Sequence, residues 1–266
     1  MTWYPAPGKL NLFLHVLGRR ADGYHELQTV FRLVDCCDRV GIALRPDREV
    51  RFSGAFGEDN LCVKAARALK VGCELALEKK LPVGGGMGGG SSDAATVLIA
   101  LNRLAKLGLD PAELATIGLA IGADVPFFIH GKNALGEGVG ERLLPLDLPP
   151  AWYLVLTPQV SVSTKEVFAS SALTRDTKRL KIPPFFSGQG RNDLEPVVSA
   201  RYPEVARHLE WLRARSPQAR MTGSGACVFA EFGSEAEALA VYDQLPGGMG
   251  GFVAKGLDRH PLLEEC

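Results

Sequence analysis

Residues 9–17, KLNLFLHVL, alternate with a period of two, which predicts a strand. Leu10, Leu12 and Leu14 fall on one face, and Lys9, Asn11, Phe13 and His15 on the other. The second face can offer polar groups to a site. After the turn signal Asp22–Gly23, residues 26–35 and 39–44 predict further strands, with β character continuing to about residue 53. Helix formers run from Asn60 to Val71 and stop at Gly72, and residues 73–81 alternate again. From Ser91 to Leu107 no Gly or Pro intervenes among Ala, Leu, Val and Ile, which predicts a buried helix closed by Gly108. Asp110 as N-cap, Pro111, Glu113 and a closing Gly122 frame a second helix. Residues 125–129, VPFFI, then predict a strand.

The proline-rich stretch 144–150 marks a boundary between domains at 1–150 and 151–266. Beyond it, residues 152–158 predict a strand, 163–173 a helix and 174–192 an irregular surface loop. A helix over 203–215 carries the apolar stripe Val205, Leu209 and Leu212. Residues 226–232 predict a strand, Ser234 and Glu237 a capping box, and 251–257 a last strand. No internal repeat is present. Strands and helices interleave without a steady βαβ rhythm, so the fold class expected is α+β in two domains.

One tract fits neither period. Residues 84–90 hold six glycines in seven positions, directly ahead of the predicted buried helix. Each ordered glycine costs roughly 0.5–1 kcal/mol relative to alanine. In return, successive backbone N–H groups can turn inward with no Cβ in the way. The following helix N-terminus adds unsatisfied donors and roughly half a positive charge. That combination is an anion cradle, above all for phosphate. Ser91 and Ser92 add hydroxyls able to cap the helix, contact phosphate or reach a metal ion. A linker could share this composition, but here a strand and a helix fix both ends. GxxxxGK[ST] is absent, and no short βαβ unit with a ribose-binding acid follows.

Charge sharpens that picture. Among 266 residues, 30 Lys and Arg balance 30 Asp and Glu, so nothing global draws the chain to nucleic acid or an anionic membrane. Any polyanion must be held locally. The N-terminal stretch does not read as a signal peptide, and no apolar run approaches the ~20 residues of a membrane span. The six cysteines show no CxxC spacing, which favours reduced thiols in a cytoplasmic protein over disulfides or a structural metal.

PVGGGMGGGSSDAA resembles the second signature of the GHMP kinases, the superfamily of galactose, homoserine, mevalonate and phosphomevalonate kinases. PGKLNLFL resembles the first signature and TGSGACVFAEF the third. The resemblance implies an N-terminal ribosomal protein S5 domain 2-like α/β domain, a C-terminal ferredoxin-like α+β domain, and an active site in the cleft between them. It implies ATP-dependent phosphorylation of a small alcohol, with ATP and Mg2+ as cofactors and no nucleic acid, membrane or obligate protein partner. Pro82, Val83, Gly84, Gly85, Gly86, Met87, Gly88, Gly89, Gly90, Ser91 and Ser92 would cradle ATP, with Asn60 and Lys79 near its base. No protein metal ligand is assigned, Ser92 being the first candidate. Lys9 matches the catalytic lysine, steadying the developing charge. Asp124 by pattern alone reads as a turn aspartate; the GADVP match makes it the group that takes or orients the hydroxyl proton.

PGKLNLFLHVLGRRADGYHELQTVF, GADVPFF, GEGVGE and FVAKG resemble the branch whose acceptor is a cytidine diphosphate-linked methylerythritol, phosphorylated on its 2-hydroxyl in the non-mevalonate route to isoprenoid precursors. Within that resemblance Tyr24 and His25 contact the cytosine and Phe168 stacks on its other face. Asn11, Val139, Thr164, Thr222, Gly223, Ser224 and Gly225 close the substrate site. Met87 stands where leucine is usual, and Asp93 where asparagine is common. Asp93 would set a negative charge near the phosphates, tuning their affinity or supporting a cation. The competing readings are a kinase for another small alcohol, such as homoserine or mevalonate, and a non-catalytic nucleotide sensor.

Overall fold

The computed structural model describes residues 1–54, 57–181 and 190–263. Two long strands, β1 (Thr2–Arg19) and β2 (His25–Leu44), form an antiparallel hairpin around the Asp22–Gly23 turn. β2 then pairs with β4 (Cys73–Glu78) along one stretch and β5 (Ala134–Gly138) along another. β3 (Val50–Ser53) runs parallel to β4, and β6 (Arg142–Pro145) flanks β5. In the second half, β7 (Trp152–Leu156) lies between β9 (Val228–Phe232) and β10 (Gly251–Leu257), and the short β8 (Arg220–Met221) edges β9. β10 also pairs with β2, at Val34–Gly256 and Leu33–Leu257, so one hydrogen-bonded path crosses both halves.

The alternation over 9–17 is broken by a bulge between Asn11 and Phe13. A single extra residue turns the later side chains to the opposite face. Leu10 and Leu12 pack into the core between the halves, whereas Leu14 and Val16 enter the core of the second half. The expectation of one face for all three leucines is corrected. Lys9 and Asn11 precede the bulge and do share a face.

Helices α1 (Leu61–Leu69), α2 (Gly89–Leu104), α3 (Pro111–Ile121) and α4 (Val125–His130) supply the helical layer of the first half. In α2 every residue from Ser92 to Leu101 is buried, as an apolar helix without a polar face requires. Its helical turns begin at Gly89, two residues before the predicted start. Asn60 caps α1 by accepting from Cys62 N, and Asp110 and Glu113 form the expected capping box of α3. VPFFI is helical, not a strand. Such a short apolar run has no readable period; burial of Val125 to Ile129, with Pro126 in the first turn and Gly131 closing in the left-handed region, gives α4 instead.

The second half carries α5 (Thr164–Ala169), α6 (Glu195–Arg201), α7 (Pro203–Arg213) and α8 (Glu235–Tyr242), the last with its Ser234–Glu237 box. α5 ends four residues short of the predicted span. Of the predicted 174–192 loop, residues 182–189 lie outside the described residues. Together the halves bear out the α+β expectation. Cys36, Cys37, Cys62, Cys73 and Cys227 are free thiols, and no helix of the described residues is long and apolar enough to cross a membrane.

Arg32 lies fully buried where β10 crosses to β2, and an added Cβ at Gly256 would stand 2.3 Å from its Nε. The guanidinium is fully enclosed, so it would have to shift within packed surroundings. Gly256→Ala should therefore lower stability by about 1–3 kcal/mol, the usual scale of overpacking, read as a lower denaturant midpoint. An unchanged midpoint would show that the junction is not packed tightly.

Candidate active site

The glycine tract is clamped from behind. Ala226 N donates to Gly84 O at 3.2 Å, Cys227 N to Gly85 O at 3.2 Å, and Lys9 N to Met87 O at 3.0 Å. Gly84, Gly86 and Gly88 have φ of 68°, 76° and 70°, the left-handed region that costs other residues roughly 1–2 kcal/mol. Space is the second reason for glycine. A Cβ on Gly86 would lie 2.2 Å from Thr222 O, and one on Gly85 2.6 Å from Cys227 Sγ. The loop leads straight into α2, whose first N–H groups have no partner within the helix.

Two cavities lie along this loop, and a third adjoins the second. The first, about 440 Å3, is walled by Asn60, Leu61, Leu77, Lys79, Asp93 and the tract from Pro82 to Ser91. The second, about 340 Å3, shares Gly84, Gly86, Gly88 and Ser91 with it and adds Lys9, Asn11, Asp124, Gly223 and Ser224. The third, about 480 Å3, is lined by Arg19, Tyr24, His25 and Lys165 and shares Val139, Thr164 and Phe168 with the second. They form one trench with the glycine loop at one end and an aromatic wall at the other.

At its middle the Lys9 ammonium lies 3.5 Å from the Asp124 carboxylate, donates to Asn11 Oδ1, and sits 5.6 Å from the centre of the Phe31 ring. Lys9 is 3% exposed, so this cation is held by neighbours and not by bulk water. Asn11 is fixed in turn. Its Nδ2 donates to Thr29 Oγ1 at 2.8 Å and its backbone N to Thr222 Oγ1 at 2.9 Å. Thr164 and Ser224 hydroxyls meet at 2.6 Å across the trench.

Several expected residues stand elsewhere. Ser92 is fully buried and lines none of the three cavities, whereas Ser91 lines two of them. Thr222 and Gly225 are buried behind the wall, where Thr222 holds Asn11 and Gly86. Asp93 borders the first cavity, 1% exposed, and the cation it supports is the Lys79 ammonium at 2.9 Å. Lys79 also pairs with Asp38, whose other oxygen accepts from the backbone N of Lys80 and Leu81. Burial opposes the Lys79 charge, yet Asp93 and Asp38 outweigh it and hold its pKa above the ordinary value. Burial and the nearby Asp38 push Asp93 up to about 7, against the pull of Lys79.

The aromatic wall brings the expected residues to one cavity. His25 and Phe168 rings lie 5.0 Å apart and 29° from parallel. A base between two rings needs twice a ~3.5 Å contact. No base therefore fits between His25 and Phe168 themselves. Exposed Tyr24 stands at the mouth of the same cavity. Burial first, then Arg175 and Arg19, lower the His25 pKa and so favour the neutral ring.

Thr29, Phe31 and Asp38 were not singled out from sequence. Thr29 and Phe31 join Asn11 and Lys9 through the β1–β2 register, and Asp38 meets Lys79 through β2–β4. Such pairings leave no local motif.

The family model for the GHMP kinases N terminal domain matches residues 60–132, and that for the GHMP kinases C terminal domain matches residues 170–250. A 4-diphosphocytidyl-2-C-methyl-D-erythritol kinase from Nitrosospira multiformis is 58% identical over 97% of this chain and 92% of its own length. Its namesake from Thiobacillus denitrificans is 56% identical over 98% and 97%. A crystal structure of 4-(cytidine 5'-diphospho)-2C-methyl-D-erythritol kinase superposes with a TM-score of 0.84 at 33% identity, covering 96% of this chain and 99% of the other. Homoserine kinase from Cytophaga hutchinsonii shares the fold, with a TM-score of 0.70 at 18% identity, over 97% of this chain and 94% of its own.

Gly86→Ala combines a left-handed φ with a 2.2 Å clash, so it should weaken binding of a non-hydrolysable ATP analogue by roughly tenfold or more. Calorimetric titration checks this, and wild-type affinity would contradict the clamp. Asp93 gives a second prediction. Its folded pKa, about 7, exceeds the ordinary 3.8, so the folded state binds the extra proton between these values. The associated stability is complete below the lower value and is lost as pH rises through the upper one. Relative to Asp93→Asn, the wild-type protein should lose stability from about pH 4 to 7 and then level off, as followed by urea midpoints. A constant difference would contradict the raised pKa.

Proposed function

This chain belongs to the 4-diphosphocytidyl-2-C-methyl-D-erythritol kinase family of the GHMP kinases, and we propose that it transfers the γ-phosphoryl group of ATP to the 2-hydroxyl of 4-diphosphocytidyl-2-C-methyl-D-erythritol. The observation that carries this is the trench itself. A phosphate cradle and an aromatic-walled cavity flank a buried lysine 3.5 Å from a carboxylate.

The ATP base and ribose occupy the first cavity, with the phosphates against the glycine amides and the start of α2. The acceptor hydroxyl meets Asp124 in the second cavity. Asp124 accepts its proton, or orients it, as oxygen attacks in line. Of the three Lys9 donors, one is held by Asn11 and one faces Asp124. The third is left for charge developing on the transferring group. The cytidine end lies in the third cavity, beside His25 and Phe168 and under Tyr24. Homoserine and mevalonate carry no ring for such a wall.

Among the described residues no cluster of three or more His, Cys, Asp or Glu could hold a metal. The donors facing the phosphate end are the Ser91 hydroxyl and the Asp124 carboxylate. That set suits Mg2+ carried by ATP, which keeps waters and phosphate oxygens and takes one or two protein oxygens. Bound there, the ion would neutralise phosphate charge. Domains at 1–150 and 151–266 and a cytoplasmic location belong to the same proposal.

An ADP-release assay with Mg-ATP and a panel of alcohols tests it. Turnover should be confined to the cytidylyl acceptor; turnover of homoserine or mevalonate alone would refute the acceptor, and ATP binding without any turnover would favour a sensor. Asp124→Asn should keep ATP affinity and lose at least ~100-fold in kcat, the scale of a positioned base. Near-normal kcat would remove Asp124 from the chemistry.

A further inference from the structure

Arg175 lines none of the three cavities, yet its guanidinium is fixed beside the third. Nη1 donates to Leu173 O at 3.0 Å, and Nη2 donates to Phe168 O at 2.9 Å and Ser170 O at 2.8 Å. These bonds seat the group at the C-terminal end of α5, the helix that carries Phe168. Its Nε–H donates to His25 Nε2 at 3.1 Å.

Chemistry then decides the imidazole. A guanidinium has five N–H donors, no acceptor, and a proton it does not release. His25 Nε2 must therefore present its lone pair to Arg175. The single proton of the neutral ring is left on Nδ1. We propose that Arg175 is a positioning residue that locks His25 in the Nδ1–H tautomer and makes its free nitrogen a hydrogen-bond donor to the acceptor's base, a proposal that rests on the functional reading given above.

The consequence is a choice between pyrimidines. Cytosine offers acceptors at N3 and O2, whereas uracil carries N–H at position 3. A ring that can only donate pairs with N3 of cytosine and opposes the N–H of uracil. Leaving such a buried polar group unpaired is what lets a site reject a close analogue. A ring free to switch tautomer could accommodate either base. One side chain thus orders both walls, since the carbonyl of Phe168 is bound by the same guanidinium whose Nε faces His25.

Long-range 1H–15N spectra of the histidine rings, with His25 assigned by its absence in His25→Gln, read the tautomer with no acceptor present. The wild-type protein should show protonated Nδ1 and bare Nε2. Arg175→Gln can turn its amide oxygen to the ring and should admit the Nε2–H form. Arg175→Lys keeps a donor and should restore the wild-type spectrum. With paired cytidylyl and uridylyl acceptors, Arg175→Gln should raise KM for the cytidylyl form with little change in kcat. Its preference for cytidine should narrow by roughly tenfold, the worth of one hydrogen bond, and Arg175→Lys should recover it. An Nε2–H or doubly protonated ring in the wild-type protein overturns the proposal, as does a cytidine preference untouched in Arg175→Gln. A wild-type protein that turns over no cytidylyl acceptor refutes the functional reading instead, and the spectrum still decides what Arg175 does to His25.

Discussion

Everything in the trench depends on how closely two stretches of backbone approach each other. The loop from Gly84 to Gly88 rests on the turn from Thr222 to Cys227, and β1 reaches both through Lys9 N and Asn11 N. No side chain fits in that contact, which is why the tract is glycine on grounds of room as well as dihedral angle. Through it the phosphate cradle, the lysine and the wall beyond Gly223 keep one fixed spacing. Phosphoryl transfer asks the protein mainly for positioning and electrostatic support. A backbone-on-backbone contact delivers both with few rotatable bonds.

The same contact explains how a chain without net charge holds a polyanion. Amides and a helix end supply the positive potential, and Lys9 supplies one buried cation. A half-buried cation close by, Lys79, is spent on Asp38 and Asp93. That trio braces the start of α2 from below. Asp38 also receives the backbone N of Lys80 and Leu81, so the strand end and the loop entry are tied to one carboxylate.

Much of this was legible in the sequence because it is local. Caps at Asn60, Asp110 and Ser234, the buried helix, and the glycine tract each declare themselves within a few residues. Lys9 and Asn11 share a face because they precede the bulge; Leu14 could not be placed, since the bulge depends on pairing with β2. VPFFI gives no signal of its own, since a short apolar run serves a strand or a buried helix equally well. The choice of Ser91 over Ser92 turns on the helix starting at Gly89. Asp93 shows the limit most clearly. Its position suggests a charge beside the cradle, and only the approach of Lys79 and Asp38 shows that charge already paired there.

β10 has a consequence for how the molecule is made. β2 reaches its full set of partners only when Gly256 and Leu257 close against Val34 and Leu33. During synthesis that edge of β2, with Arg32 beneath it, must wait until nearly all of the intervening chain has emerged. Contacts so distant in sequence form late and slowly, because the connecting chain must be ordered first. Until then the first half has a gap in its sheet at Leu33 and Val34, between β5 and β4, where Asn133 Oδ1 accepts from Leu33 N. The strand that joins the two halves is thus among the last parts of the chain to be made.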